Sequence, residues 1–135
     1  MSSYLTFYAV PKAENSKPIG LISYCRSNDI YQYFSDNIHP AYIGNDEEDH
    51  YTELTVEKVD RVLEDLNNDI KKAKIRIEEY EKCANGDTEI IETIIEYREY
   101  LENLETALYR TEFIKDLVLE TKYSNSLKAI YCNVD

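Results

Sequence analysis

The chain is poor in the residues on which most active sites depend. Only three glycines occur in 135 residues, none in a phosphate-cradling loop, and there is no GxSxG nucleophile motif. Its three cysteines, Cys25, Cys83 and Cys132, are odd in number and widely scattered, which fits reduced thiols better than a disulfide or zinc framework. Positive charge is also scarce. Fifteen Lys and Arg stand against 27 Asp and Glu, for a net charge of -12. Such a surface repels nucleic-acid backbone and anionic membranes, so neither is expected as a direct partner. No uncharged apolar run is long enough to span a bilayer. The first residues, MSSYLTFYAVPK, have no basic start and no small-residue cleavage site, so a cytoplasmic location is expected.

What the chain does have is helical periodicity. Val56, Val59, Leu63, Leu66, Ile70, Ala73, Ile77 and Tyr80 recur at steps of three and four, which draws one apolar stripe along a helix. Ile90, Ile94, Tyr97, Leu101, Leu104 and Leu108 repeat the pattern, and Thr111 and Lys115 extend it with polar residues. Between them lies the break Ala84-Asn85-Gly86-Asp87. A reversal there pairs Tyr80 with Ile90, Ile77 with Ile94, Ala73 with Tyr97, Ile70 with Leu101, Leu66 with Leu104 and Leu63 with Leu108. An antiparallel two-helix coiled-coil hairpin over residues 55–122 is therefore expected, each helix about 40 to 50 Å long. Thr55 is placed to cap the first helix, with Leu54 stapling onto Val59, and Asp87 or Thr88 to cap the second.

The flanks read as β structure. Residues 3–10 alternate Leu5, Phe7 and Ala9 with Tyr4, Thr6 and Tyr8, the period of a strand with one buried face. PKAENSKP then forms a loop, and residues 19–26 form a second, more apolar strand antiparallel to the first. Ser27 or Asn28 caps a short helix over residues 28–37 that must end before Pro40. Residues 40–50, with Gly44 and an acidic run, are a solvated loop, and Tyr51 to Leu54 a brief extended segment. Leu127 to Val134 is a third strand beside the first two. The expected fold is α+β in a single domain. A small antiparallel sheet of two N-terminal strands plus a C-terminal strand, with a short helix, makes a head from residues 1–54 and 123–135. That head carries the hairpin. Val62, Ala107, Ile114, Phe113, Leu117, Val118 and Leu119 are the residues expected to dock the hairpin on it.

Chemical candidates are few. His39 and His50 flank Asp46, Glu47, Glu48 and Asp49, but the run lacks the ligand alternation and turn glycine of a calcium loop. Cys25 with either histidine is the one nucleophile pair, and within an apolar strand its thiol is expected to be inert packing. No metal, cofactor or enzymatic activity is expected.

Binding candidates are better supplied. Ile75, Ile91 and Ile95 lie off the hairpin seam near its tip, where exposed apolar groups suggest a protein partner or a second copy of the chain. Glu89, Glu92, Glu96 and Glu99 form an acidic ridge, with glutamate neighbours roughly 5 to 6 Å apart on the helix. That ridge is either a solvated face beside Lys71, Lys72, Lys74 and Arg76 or an imitation of a nucleic-acid backbone. Thirteen tyrosines mark the composition, and Tyr31 and Tyr33 are the expected exposed anchors. Richness in Ile, Asn, Lys and Tyr points to an AT-rich bacterial or phage genome. The function expected is a non-catalytic protein-interaction or assembly module, self-associating through hairpin or head. The alternative is an acidic inhibitor that mimics nucleic acid and blocks a nucleic-acid-binding host enzyme or defence system.

Overall fold

The computed structural model describes residues 3–38 and 51–134. The expected acidic loop and its two flanking histidines lie outside the described residues. The elements follow in the order β1 (Tyr4–Pro11), β2 (Ile19–Cys25), α1 (Asp29–Asn37), β3 (Thr52–Glu53), α2 (Val56–Cys83), α3 (Thr88–Glu120) and β4 (Leu127–Val134). The architecture is α+β, with an antiparallel sheet joined to a long helical hairpin.

The sheet has four strands in the order β2-β1-β4-β3, one more than expected, because Thr52 and Glu53 pair with Cys132 and Tyr131. β1 is central, pairing on one side with β2 (Phe7 opposite Ile22) and on the other with β4 (Phe7 opposite Cys132). Its alternation sends Leu5, Phe7 and Ala9 into the core, joined by Ile130 and Cys132 of β4. β2 is different. Six of its seven residues are exposed, since it lies at the edge of the sheet where the helices give little cover.

Helix ends follow local chemistry. Asn28 caps α1 by accepting from the Ile30 amide at 3.2 Å, and Thr55 caps α2 by accepting from the Lys58 amide at 3.3 Å. α2 closes through Asn85 (φ 30°) and Gly86 (φ 80°), a left-handed pair that turns the chain. Asp87 then accepts from the Glu89 and Ile90 amides to start α3.

The hairpin base and the head share one core. Val59, Val62, Leu66 and Ile70 of α2 and Leu104, Ala107, Ile114 and Val118 of α3 meet Ile30, Phe34 and the sheet residues in a single cluster. Phe7 and Phe34 meet edge to face at its centre, with ring centroids 5.1 Å apart. α1 sits between the hairpin base and the sheet, so a wide arc of it is covered. Tyr31, expected to be exposed, is consequently buried at 7% exposure beside Ile30 and Phe34. Two expected docking residues are also corrected. Phe113 and Leu119 are exposed, because Ile114 and Val118 already take the docking side and a step of one residue turns a helix by about 100°.

The polar end of the second stripe has structural work. Thr111 is fully buried and donates to the Ala107 carbonyl at 2.7 Å, while Lys115 pairs with Asp60 at 2.7 Å. Higher up, the seam holds Ala73, Ile77 and Ile94 outside the shared core. Cross-seam contacts fall further along α3 than level pairing implies: Tyr80 meets Tyr97 (centroids 5.7 Å apart) and Arg98 donates to Glu81 at 2.5 Å. Side chains lean toward their own helix N-terminus, so those of α2 reach away from the turn and those of α3 reach toward it.

Candidate functional site

The part of the molecule that the shared core does not explain is the hairpin arm beyond Ile70 and Leu104. Two neighbouring carboxylates of α2 set where the arm leaves the head. Asp65 accepts from the Asn37 side-chain amide at 2.8 Å and Asp69 accepts from the Tyr33 hydroxyl at 2.5 Å, which fixes α1 across the hairpin. Burial first, then the hydrogen bond to Asp69 and the nearby Tyr100, push the Tyr33 phenol well above the usual tyrosine range. Tyr33 is therefore a half-buried strut tying α1 to the hairpin, and the expectation of an exposed anchor is corrected.

Beyond this strut an open groove of about 550 Å³ runs between the helices. Ala73 opens it, since a small residue there leaves space between its neighbours. Lys72, Arg76 and Asp69 line it from α2, with Glu96, Tyr97 and Tyr100 from α3. Both charge signs are present, so the groove has no single preferred ion.

The acidic ridge is exposed throughout, at Glu89, Glu92, Glu96 and Glu99. None of the four is in ion-pair contact with Lys71, Lys72, Lys74 or Arg76; the hairpin's ion pairs are instead Arg76 with Glu79, Arg98 with Glu81 and Lys115 with Asp60.

Ile75, Ile91 and Ile95 are all exposed, but they do not form one patch. Ile75 lies midway between buried Ala73 and Ile77, so it points away from α3 with the thickness of α2 between. Ile91 and Ile95 belong instead with Tyr109 and Phe113. Tyr109 follows Ile91, and Phe113 follows Ile95, by about five turns at ~3.6 residues per turn, which puts all four on one side of α3. That side lies away from buried Leu104, Ala107 and Thr111. Outside its seam α3 thus carries two exposed apolar pairs on one side, Ile91 with Ile95 and Tyr109 with Phe113, separated by Arg98 and Glu102. The spacing was visible in the sequence, but a search for a single stripe hides a second one.

The thiols divide by position. Cys25 is exposed at the end of β2, with its sulfur 2.9 Å from the Ser27 hydroxyl, so the expectation of inert packing is corrected. That hydrogen bond draws its pKa below the usual thiol value. Cys132 is buried in the core, and burial pushes its thiol up to about 12. Among the described residues no cluster of three or more His, Cys, Asp or Glu could hold a metal, and no helix is long and apolar enough to cross a membrane. Comparison with protein-family models, curated proteins and solved structures finds no match.

Proposed function

We infer that the chain is a non-catalytic protein-interaction or assembly module that acts through its helical hairpin. The observation that carries this reading is the outward side of α3, where Ile91, Ile95, Tyr109 and Phe113 are all exposed. A helix that closes a two-helix seam needs one apolar side, and large apolar groups grouped on another side are unfavourable in water unless another surface covers them. The surface spans both parts of the hairpin, with Ile91 and Ile95 on the arm and Tyr109 and Phe113 on the base that the head holds rigid. With a net charge of -12, a protein is a better partner than nucleic acid or an anionic membrane. Small size and composition suit a phage or bacterial accessory protein.

A photo-crosslinking residue at Ile95, compared with one at exposed Lys71, tests this in the native host. A discrete product at position 95 that disappears when Phe113→Asp is added supports the reading. Identical faint products from both positions overturn it.

A second reading is favoured by the acidic ridge, whose glutamates form no ion pair with the basic half of α2. On this reading Glu89, Glu92, Glu96 and Glu99 imitate a nucleic-acid backbone and inhibit a nucleic-acid-binding enzyme or defence system. Partner binding that weakens steeply with salt and is lost in Glu92→Lys with Glu96→Lys supports it; salt-independent binding removes it.

A further inference from the structure

We propose that the outward side of α3 pairs with the same side of α3 in a second copy of this chain, antiparallel and centred on Glu102. This rests on the interaction reading above and names its partner.

The strip is self-complementary. Ile91 and Phe113 lie equally far along the helix from Glu102, and so do Ile95 and Tyr109. A two-fold interface requires that if one residue meets another, the reverse contact also forms. Centring on Glu102 satisfies this with apolar pairs at both ends: Ile91 against Phe113 of the second copy, and Ile95 against Tyr109 of the second copy. Each match sets an aliphatic side chain against an aromatic ring. Arg98 falls between these ends, opposite Thr106 of the second copy; its guanidinium is held by Glu81 of its own hairpin, so it brings positive charge only to the flank of the strip near Glu102 and Glu105 of the second copy. The other exposed isoleucine of the hairpin, Ile75, has no such counterpart on its helix.

Size sets the expected strength. The strip from Ile91 to Phe113 is about 33 Å long. Exposures of 43% for Ile91, 51% for Ile95, 75% for Tyr109 and 58% for Phe113 leave about half of each isoleucine and more of each aromatic residue available. Burying what Tyr109 and Phe113 still expose brings roughly 200 to 330 Å² per copy, against the roughly 500 Å² per partner of a small specific interface. The isoleucines and the stems of Arg98, Glu102 and Glu105 supply the remainder. The result is a modest, concentration-dependent dimer, opposed by net charge and by Glu102 meeting its own copy on the axis. Salt should therefore strengthen it, whereas salt weakens attraction between an acidic ridge and a basic partner.

Sedimentation equilibrium of the full chain across salt concentrations tests the pairing, together with single-cysteine crosslinking after Cys25→Ser and Cys83→Ser. Phe113→Asp should lower the association constant by about tenfold or more, since two-fold symmetry applies each change twice. Glu102→Gln should raise it. Glu102→Cys should form a disulfide-linked dimer rapidly under oxidation, whereas Ile75→Cys should not. A dimer that persists in Phe113→Asp, or equal crosslinking at both positions, overturns the proposal. So does a chain that stays monomeric at high salt. If that monomer still gives a discrete heterologous product with the photo-crosslinker at Ile95, the interaction reading stands and only self-pairing fails.

Discussion

At the scale of single residues, environment separates groups that composition treats alike. Cys25 and Cys132 are both strand thiols, yet one is exposed beside the Ser27 hydroxyl and the other lies in the core. Iodoacetamide at neutral pH should label Cys25 readily and leave Cys132 untouched until the chain unfolds, as peptide mass mapping would show. The same burial gives a pH dependence of definite sign. An unfolded thiol ionises near 9.0, while folded Cys132 holds its proton to about 12. Across that window the unfolded state loses a proton that the folded state keeps, so stability falls as pH rises. The slope from this one group approaches ~1.4 kcal/mol per pH unit. In urea titrations from pH 9 to 12, Cys132→Ala should make the decline shallower; an unchanged slope assigns it to other groups. The tyrosines show what sequence alone conceals. Tyr31 and Tyr33 are two positions apart on α1, and one is core while the other is a strut to Asp69. An amphipathic side chain suits both places, so identity and spacing do not choose between them.

At the scale of elements, the hairpin was the most legible part of the chain, because a stripe at helical spacing depends on backbone geometry that varies little. Both caps, the turn and the helix limits follow from Thr55, Asn85, Gly86 and Asp87. The contacts across the seam were less legible, since side-chain lean shifts partners along the helix and level pairing ignores it. β3 was visible only as a short extended segment, and its membership of the sheet depends on β4, far away in sequence. The strip on α3 was half legible: Ile91 and Ile95 stood out, while Phe113 resembled a docking residue because it neighbours Ile114. The arm should also loosen independently of the base. Gly86 has a φ of 80° with nothing within 4 Å of an added Cβ, so Gly86→Ala adds backbone strain without a clash. The cost is on the order of 1 kcal/mol. Amide exchange should quicken from Glu81 to Ile91 and change little at Leu66 and Leu104, which belong to the shared core. Uniform acceleration along both helices would mean that arm and base open together.

At the scale of the whole molecule, net charge acts on every contact at once. With -12 spread over 135 residues, self-repulsion in the compact state is reduced when salt screens it. The melting temperature should therefore rise between low salt and about 0.5 M sodium chloride, where the screening length is only a few ångströms; a fall would mean that the few ion pairs outweigh the general repulsion. One topological feature also bears on biosynthesis. β1 is held on one side by β2, close in sequence, and on the other by β4, which follows both long helices. During translation β1 emerges first of the described elements and β4 last, so the nascent chain carries a strand with one open edge while the hairpin is being made. The sheet cannot close until Leu127–Val134 has left the ribosome, and an unpaired edge is a template for wrong partners in the meantime. On this topology the growing chain depends most on chaperones before its last strand arrives.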